Sequence, residues 1–319
     1  MTSRSLFVLR RVLLTVPALF VMSVLVFLII RLVPGDPVRT MLGFRATEAN
    51  VAEMRHQLGL DQPLVTQYLD FVVGIAHGDL GTDIVSHESL STLLVQRLPV
   101  TIELAGLAML LAVVVGVPLG VRAATGGRWT SRTTEGFVIL GISIPDFFMG
   151  ILLVLVFAGN LAILPPSGYV PFATDPVENL RYMTLPVLAL AVAEAAYILR
   201  TTRGAMKAVL ARPFITFLRA KGVSNRRIVY GHALRNAAPS IVTVVGIQVG
   251  VLLGGAIIVE VLFALPGVGR MLVTAITQRN YPTVQVGVLA IATIFILISL
   301  VIDLLVGWLD PRVADGGAR

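Results

Sequence analysis

The sequence predicts an all-α membrane protein with six transmembrane helices and a further helical segment outside the membrane. Of its 319 residues, 56% are hydrophobic and only 13% are charged, whereas soluble domains carry about 25% charged residues. The mean hydropathy is +0.89. Apolar stretches of about 20 residues recur along the chain, which is the length that crosses a bilayer core of about 30 Å. These features exclude a soluble globular domain.

The first apolar stretch, 12–30, is predicted to be an uncleaved span. It is flanked by Arg10, Arg11 and Arg31, and Leu-Val-Pro-Gly-Asp follows it instead of the small-residue cleavage site of a signal peptide. Five more stretches have the length and composition of spans. They are 101–121, 136–161, 183–202, 238–263 and 286–308.

The basic residues predict the orientation of these spans. Placing the N-terminus inside puts 17 of the 25 Lys and Arg residues on one side, in segments 1–11, 122–134, 200–236 and 310–319. Cytoplasmic loops carry such an excess of Lys and Arg, so both termini are predicted to be cytoplasmic. The net charge of +7 is explained by these loops and does not indicate nucleic-acid binding.

Segment 32–98 is too polar to span the membrane, and its eight acidic residues against four basic ones fit the outer side. Short amphipathic helices that end at Gly59 and near Gly78 are expected there. The chain is therefore predicted to begin with a cytoplasmic N-terminus and the first span at 1–31, followed by an extracytoplasmic helical segment at 32–98. A five-helix core occupies 99–310 and contains a cytoplasmic connection at 203–236, and residues 311–319 form a cytoplasmic tail.

Known catalytic signatures are missing from the sequence. It has no cysteine, no Gly-x-x-x-x-Gly-Lys-Ser/Thr, no His-Glu-x-x-His and no Gly-x-Ser-x-Gly. The four histidines are not at metal-ligand spacing. The chain is therefore expected to hold no catalytic site, metal or cofactor of its own. Any uphill transport must draw on ATP hydrolysis by another chain or on an ion gradient.

The connection between the fourth and fifth spans is strongly basic. Residues 200–236 include nine Lys or Arg residues and no acidic one. Phe214, Phe217 and Leu218 fall on one face of a short helix, with Lys221 beside them, and Gly222 should end that helix. Two interpretations are open from the residues alone: a face that docks another protein, or a basic loop that binds anionic headgroups.

Charged residues inside spans cost about 2.5–3.5 kcal/mol on insertion scales and mark candidate functional sites. Asp146 directly follows Pro145, so it either caps the half-helix that starts there or lines a path. Glu194 either lines a path or pairs with a neighbouring helix. Glu260, near the outer end of its span, either snorkels to water or forms part of a gate. Asp303 is predicted to be a packing or interface charge.

Glycines at a spacing of four residues occur in two spans. Gly246, Gly250 and Gly254 form one series, and Gly116 with Gly120 forms a shorter one. Small residues at this spacing let helices approach closely, so packing is the expected role. The same close packing could form a subunit interface or a pore wall.

An ordered set of motifs resembles the permease subunits of peptide and nickel ABC importers over nearly the whole chain. The run Arg219-Ala-Lys-Gly-Val223, followed by His232-Ala-Leu-Arg-Asn-Ala237, is similar to their cytoplasmic "EAA" loop, although Thr216, Phe217 and Leu218 stand in place of Glu-Ala-Ala. The other matching motifs are Leu32–Pro37, Leu58–Pro63, His77–Gly81, Ser143–Phe147, Phe263–Gly269, Tyr281-Pro282 and Asp310–Arg312.

The resemblance implies a type I ABC importer permease in the bacterial cytoplasmic membrane. It implies a second related permease, two cytoplasmic ATPases that hold ATP and Mg, and an extracytoplasmic binding protein that delivers peptides. The cargo stays open among dipeptides, longer peptides, glutathione, nickel complexes and haem. An ion-coupled secondary transporter is the alternative. The residues implied to couple to the ATPase are Phe214, Phe217, Leu218, Arg219, Ala220, Lys221, Gly222, His232, Arg235 and Asn236.

Overall fold

A computed structural model describes residues 3–32, 38–39, 46–57 and 59–309. Within them the regular structure is helical, apart from one isolated bridge between Thr82 and Ser89. Residues 33–37, Leu58 and 310–319, which carry parts of three motifs and the predicted tail, lie outside the described residues. The helices are α1 (Ser3–Leu32), α2 (Glu48–Gln57), α3 (Leu64–His77), α4 (Leu90–Thr125), α5 (Arg128–Ser143), α6 (Asp146–Leu153, continued by a π-turn, Val154–Asn160), α7 (Pro176–Leu210), α8 (Pro213–Ala220), α9 (a π-turn, Arg227–Ala233, then Leu234–Leu262), α10 (Val268–Thr277) and α11 (Tyr281–Leu309).

Five helices in the described part of the chain are long and apolar enough to cross a membrane: α1, α4, α7, α9 and α11. A sixth span exists if α5 and α6 are counted together, although the two helices meet at an angle of 102°. The six predicted spans are thus found, and the third is sharply bent. Proline explains the bend: Ile144, just before Pro145, adopts an extended conformation (φ −94°, ψ 118°), because a proline disfavours helical geometry in the preceding residue.

Helix α7 is longer than the predicted fourth span. It begins at Pro176, where the side chain of Asp175 accepts hydrogen bonds from the backbone N–H groups of Val177 and Glu178. It continues through Pro186 to Leu210 and ends before Pro213, because a proline disfavours helical geometry in the residue before it, here Arg212 (φ −73°, ψ 145°). The first part of the predicted 203–236 connection is therefore helix. Similarly, α4 begins at Leu90, inside the predicted outer segment.

The chain divides into two compact units. The first comprises 1–15, 102–265 and 297–319. Its centre is α7, which packs against α5, α6 and α9. Helix α4 approaches α7 closely at Gly116 and Gly120, where an added Cβ would lie 2.8 Å from the carbonyl oxygens of Ala195 and Leu199 respectively. The predicted packing role of these two glycines is therefore confirmed.

The second unit comprises 16–101 and 266–296. Leu90, Leu93 and Val286 form a buried cluster there. Two helices of the predicted outer segment, α2 and α3, are present. Each ends with a glycine in the left-handed conformation, Gly59 (φ 64°) and Gly78 (φ 78°), as their sequence positions predict.

Candidate functional site

Helix α8 is a short element that is held at one side and exposed at the other. Proline at its first position, Pro213, suits a helix start because that N–H would have no intrahelical partner. Ile215 has no exposed surface, and Phe214 packs against a buried cluster that includes Met206, Val209 and Val229. The adjoining ends of α7 and α9 therefore provide a fixed base for α8.

The outer face of α8 carries an exposed aromatic ring and a cation. The Phe217 side chain is 59% exposed. The Lys221 ammonium lies 4.6 Å from the centre of its ring, a distance typical of a cation–π contact. Leu218 is partly buried, and Arg219 and Ala220 are exposed. An exposed phenyl ring beside basic groups on a fixed helix has the character of a docking surface.

The turn after α8 depends on Gly222. This residue has φ +76°, in the left-handed region that residues with a Cβ avoid. Its N–H donates to the Arg219 carbonyl at 2.9 Å, and the Val223 N–H donates to the Leu218 carbonyl at 3.1 Å. This pair of bonds is a Schellman motif, which ends a helix and reverses the chain. The predicted helix end at Gly222 is confirmed.

The remaining residues of the predicted coupling set lie at the start of α9. Val229 and Ala233 are buried in the same cluster as Met206. Arg235 and Asn236 are exposed, and the Asn236 amide donates to the His232 carbonyl at 2.8 Å. The set therefore divides between an outward surface and partly buried positions such as Phe214. The buried position of Ile215 in α8 is not predicted from the sequence, because this residue stands between Phe214 and Phe217, which are both assigned to the docking face.

A second group of polar residues lies among the spans of the first unit. Glu194 of α7 is only 3% exposed and accepts a hydrogen bond of 2.8 Å from the side-chain amide of Gln248 in α9. Asp146 is close enough to interact electrostatically with Glu194. An added Cβ at Gly255 would lie 2.7 Å from an Asp146 oxygen, so α9 passes very near this carboxyl group. Two carboxyl groups and one amide thus converge from three helices.

This geometry decides some of the alternatives left open by the sequence. Glu194 does pair with a neighbouring helix through Gln248. The suggestion that Asp146 caps α6 is wrong, because Pro145 occupies the N-cap position and Asp146 is the first helical residue. An acidic group in the first turn still interacts favourably with the helix dipole. Glu260 is fully buried near the end of α9.

The glycines of α9 and Asp303 of α11 have distinct surroundings. An added Cβ at Gly246 would lie 2.7 Å from the Ile302 side chain. An added Cβ at Gly254 would have no neighbouring atom within 4 Å. Close packing within the chain is therefore found at Gly246. Asp303 forms a 2.6 Å salt bridge with Arg11, in agreement with its predicted packing role.

One polar anchor in the second unit is not predicted by any sequence motif. Asp83, 8% exposed, accepts hydrogen bonds from the side chains of Asn280 and Thr283, each at 2.7 Å. Backbone N–H groups of Val85 and Ser86 also donate to it. Burial alone would raise the pKa of this carboxyl, but these hydrogen bonds outweigh burial and hold its pKa below the usual value.

Another polar contact fixes the connection between α6 and α7. The Tyr169 hydroxyl donates to the Glu103 carboxylate at 2.8 Å. Burial, together with this hydrogen bond and the nearby negative charge, raises the pKa of Tyr169 to about 12. Tyr169 therefore stays protonated and keeps its donor role at physiological pH.

Taken together, these features define a polytopic membrane protein: apolar spans, a fixed amphipathic helix on a basic connection, and a polar group between spans. In the described part of the chain, no group of three His, Cys, Asp or Glu side chains could hold a metal ion.

The comparisons with known proteins give the family. Residues 116–315 match the "Binding-protein-dependent transport system inner membrane component" family, and residues 5–105 match the N-terminal region of such membrane components. The chain therefore belongs to the binding-protein-dependent inner-membrane components of ABC importers. This membership gives no support to the alternative of an ion-coupled transporter.

The relatives cover the chain almost completely. It is 38% identical to the dipeptide transport system permease protein DppB of Escherichia coli K12 and to the di/tripeptide permease DppB of Pseudomonas aeruginosa. Each match covers 96% of this chain and 98% of the relative. A solved inward-facing MetNI methionine ABC transporter has a similar fold, with a TM-score of 0.50 and 19% identity over 71% of this chain and 97% of that chain.

Proposed function

We propose that this chain is the permease subunit that forms half of a peptide translocation pathway, fed by an extracytoplasmic binding protein. The observation that carries the proposal is the 38% identity to dipeptide and di/tripeptide permeases, maintained over 96% of the chain. A match of this extent includes the spans and the connections between them. Dipeptides are the first cargo to test.

We further propose that α8 couples the spans to separate ATPase subunits, which hold ATP and Mg. Its buried side, anchored by Ile215 and Phe214, would transmit a movement directly to the ends of α7 and α9. Its exposed side, with Phe217 and Lys221, offers an apolar contact and positive charge to the partner. Closure of two ATPases on ATP would then switch the spans, with a second related permease, between inward- and outward-facing states.

Asp146, Glu194 and Glu260 are the proposed polar positions of the translocation pathway. A path for a zwitterionic peptide needs polar groups at membrane depth, and intramembrane carboxyl groups are rare enough to be functional candidates. The Glu194–Gln248 pair lets one carboxyl group remain in an apolar span without losing its hydrogen bonding. The chain itself would catalyse no covalent step.

The test is transport by the reconstituted complex. A tagged chain is co-expressed with its candidate partners, purified, and placed in liposomes with the binding protein and a labelled dipeptide. We expect ATPase subunits to co-purify with the chain. Uptake should require ATP on the side of the liposome membrane that carries the ATPases, and ionophores should not inhibit it. Uptake that continues without ATP and stops when the ion gradient is dissipated would contradict the proposal.

A further inference from the structure

A basic cavity of about 340 Å³ lies beside the turn between α4 and α5, in the first unit. Its volume falls within the range of about 300–1,000 Å³ that small-molecule sites occupy. Arg128 and Arg132 of α5 and Lys207 of α7 line it, together with Ser131 and Glu135. Three cationic side chains from two helices thus border one cavity.

The positive charge of this cavity is not balanced within the described residues. Glu135 is the one carboxylate in its lining, and it forms a 2.7 Å salt bridge with Arg203. None of the carboxylates described in the structure pairs with Arg128, Arg132 or Lys207. Arg128 and Arg132 are four residues apart on one helix, an arrangement in which like charges repel. A bound anion would relieve this repulsion.

The surroundings place the cavity at the membrane surface. Trp129, next to Arg128, is 79% exposed, and Ile139 and Leu140 on the same helix are also strongly exposed. Exposed Trp side chains concentrate at the level of lipid headgroups, while exposed aliphatic residues further along the helix fit the acyl region. The positive-inside pattern assigns segment 122–134 to the cytoplasmic side, where anionic lipids attract basic residues.

The backbone adds donors at the same place. Helix α5 begins after Gly127, and no side chain caps its first N–H groups. Gly126 and Gly127 both border the cavity. Uncapped N–H groups at a helix start favour phosphate oxygens, which here supplements the three cationic side chains.

We propose that this cavity binds the phosphate-bearing headgroup of an anionic phospholipid from the cytoplasmic leaflet. Arg128, Arg132 and Lys207 would contact the phosphate, and Trp129 would lie at the headgroup level beside it. The proposal is independent of the cargo and of the docking role of α8, because none of these four residues belongs to the proposed coupling surface or the polar group between spans.

The two tryptophans of the chain allow a direct test, since Trp129 and Trp308 are its complete set. The full-length chain is reconstituted in vesicles of phosphatidylcholine with a fifth of phosphatidylglycerol, and bromine is placed on one or the other lipid to quench fluorescence. Trp308→Phe leaves Trp129 as the reporter. Trp129→Phe leaves Trp308, which is 71% exposed near the opposite end of the chain, as the matched control.

We expect brominated phosphatidylglycerol to quench Trp129 more than its share of the bilayer predicts, and to quench Trp308 in proportion to that share. Combining Arg128→Gln, Arg132→Gln and Lys207→Gln should abolish the excess, with a loss of affinity on the order of 100-fold, since each basic residue near an anionic surface contributes several-fold. The matched variant Arg10→Gln with Arg226→Gln and Arg227→Gln removes three exposed charges elsewhere and should preserve the excess. Thermal unfolding of each variant shows that it is folded.

Three results would overturn the proposal. One is the absence of excess quenching at Trp129. Another is an equal excess of quenching at Trp308, or loss of the excess at Trp129 in the variant with Arg10, Arg226 and Arg227 replaced. Either result would indicate a general attraction of anionic lipid to the basic surface. The third is displacement of the lipid by millimolar inorganic phosphate, which would assign the cavity to a soluble anion.

Discussion

Glu194 shows how one residue can be tolerated inside an apolar span. A carboxyl group at mid-membrane costs about 2.5–3.5 kcal/mol on insertion scales. The hydrogen bond from Gln248 and the proximity of Asp146 mean that it lies in a polar site made by three helices. The residue type could be identified from the sequence. Its partner could not, because nothing in the sequence relates positions 194 and 248.

Glu194→Gln should separate the structural role of this residue from its role in transport. The amide retains an oxygen that can accept from Gln248, so we expect the stability of the purified complex to change by less than about 1 kcal/mol. Glu194→Leu removes the acceptor and should destabilise by about 2 kcal/mol. If the charge lines the path, ATP-driven dipeptide uptake falls roughly tenfold or more in Glu194→Gln. Unchanged uptake in Glu194→Gln would exclude the role in transport, and unchanged stability in Glu194→Leu would exclude the structural role.

Asp83 anchors its loop by accepting four hydrogen bonds, two of them from side chains that are themselves buried. Asp83→Asn removes the negative charge. It also replaces one accepting oxygen with an NH₂ group, which is a donor and cannot accept from the groups that face it. We expect a loss of about 2 kcal/mol in the free energy of unfolding at pH 7, measured by thermal unfolding in detergent. Asp79→Asn, at an exposed position four residues earlier, is the matched control and should have little effect.

The same residue predicts a pH dependence. Because the pKa of Asp83 is lower in the folded protein, its contribution to stability is complete above its unfolded value of about 3.9 and is lost as the pH falls through the folded pKa. The difference between wild type and Asp83→Asn should therefore be constant above about pH 5 and become smaller below about pH 4. A difference that grows as the pH falls would contradict this assignment.

At the scale of the helices, the sequence predicts helix ends and bends well where a glycine or a proline marks them. Gly59, Gly78 and Gly222 each end a helix in the left-handed conformation, and Pro145 bends the third span. Boundaries were less accurate where no breaker occurs, as between positions 202 and 210 in α7. The role of Asp83 cannot be predicted from the sequence, because its side-chain partners Asn280 and Thr283 lie about 200 residues away along the chain and leave no local pattern.

Gly222 is the position at which the coupling proposal can be tested most directly. A Cβ there would meet no atom within 4 Å, so the effect of substitution is backbone strain alone. The left-handed conformation costs a β-branched residue about 1–2 kcal/mol or more. We expect Gly222→Val to leave the permease inserted and paired, but to abolish substrate-stimulated ATP hydrolysis in the reconstituted complex. Gly222→Asn, which tolerates this conformation, should retain much of the stimulation.

The control for this series is Gly204 in α7. It also has open space around an added Cβ but lacks a positive φ, so Gly204→Ala should be neutral or slightly stabilising. If the connection only anchored lipid, Arg226→Gln with Arg227→Gln would be the harmful change and Gly222→Val would be mild. Normal stimulation in the Gly222→Val complex would exclude the docking role of α8.

At the scale of the whole molecule, family membership accounts for a chain built of apolar spans with no catalytic signature. The family matches extend from residue 5 to residue 315, with a break at 106–115. They include both the segment between the first two spans and the connection that carries α8.

The orientation of the whole chain follows from its basic residues and can be measured directly. With 17 of 25 Lys and Arg residues on one predicted side, Ser224 should face the cytoplasm and Ser86 the outside. Both residues are exposed and the chain has no cysteine, so Ser86→Cys and Ser224→Cys each supply one unique label site. In intact cells a membrane-impermeant maleimide should modify position 86 and spare position 224, and disruption of the membrane should make both reactive. Labelling of position 224 but not position 86 in intact cells would show that the topology is the inverse of the predicted one. The α8 surface and the basic cavity would then lie outside the cell, where cytoplasmic ATPases could not reach them.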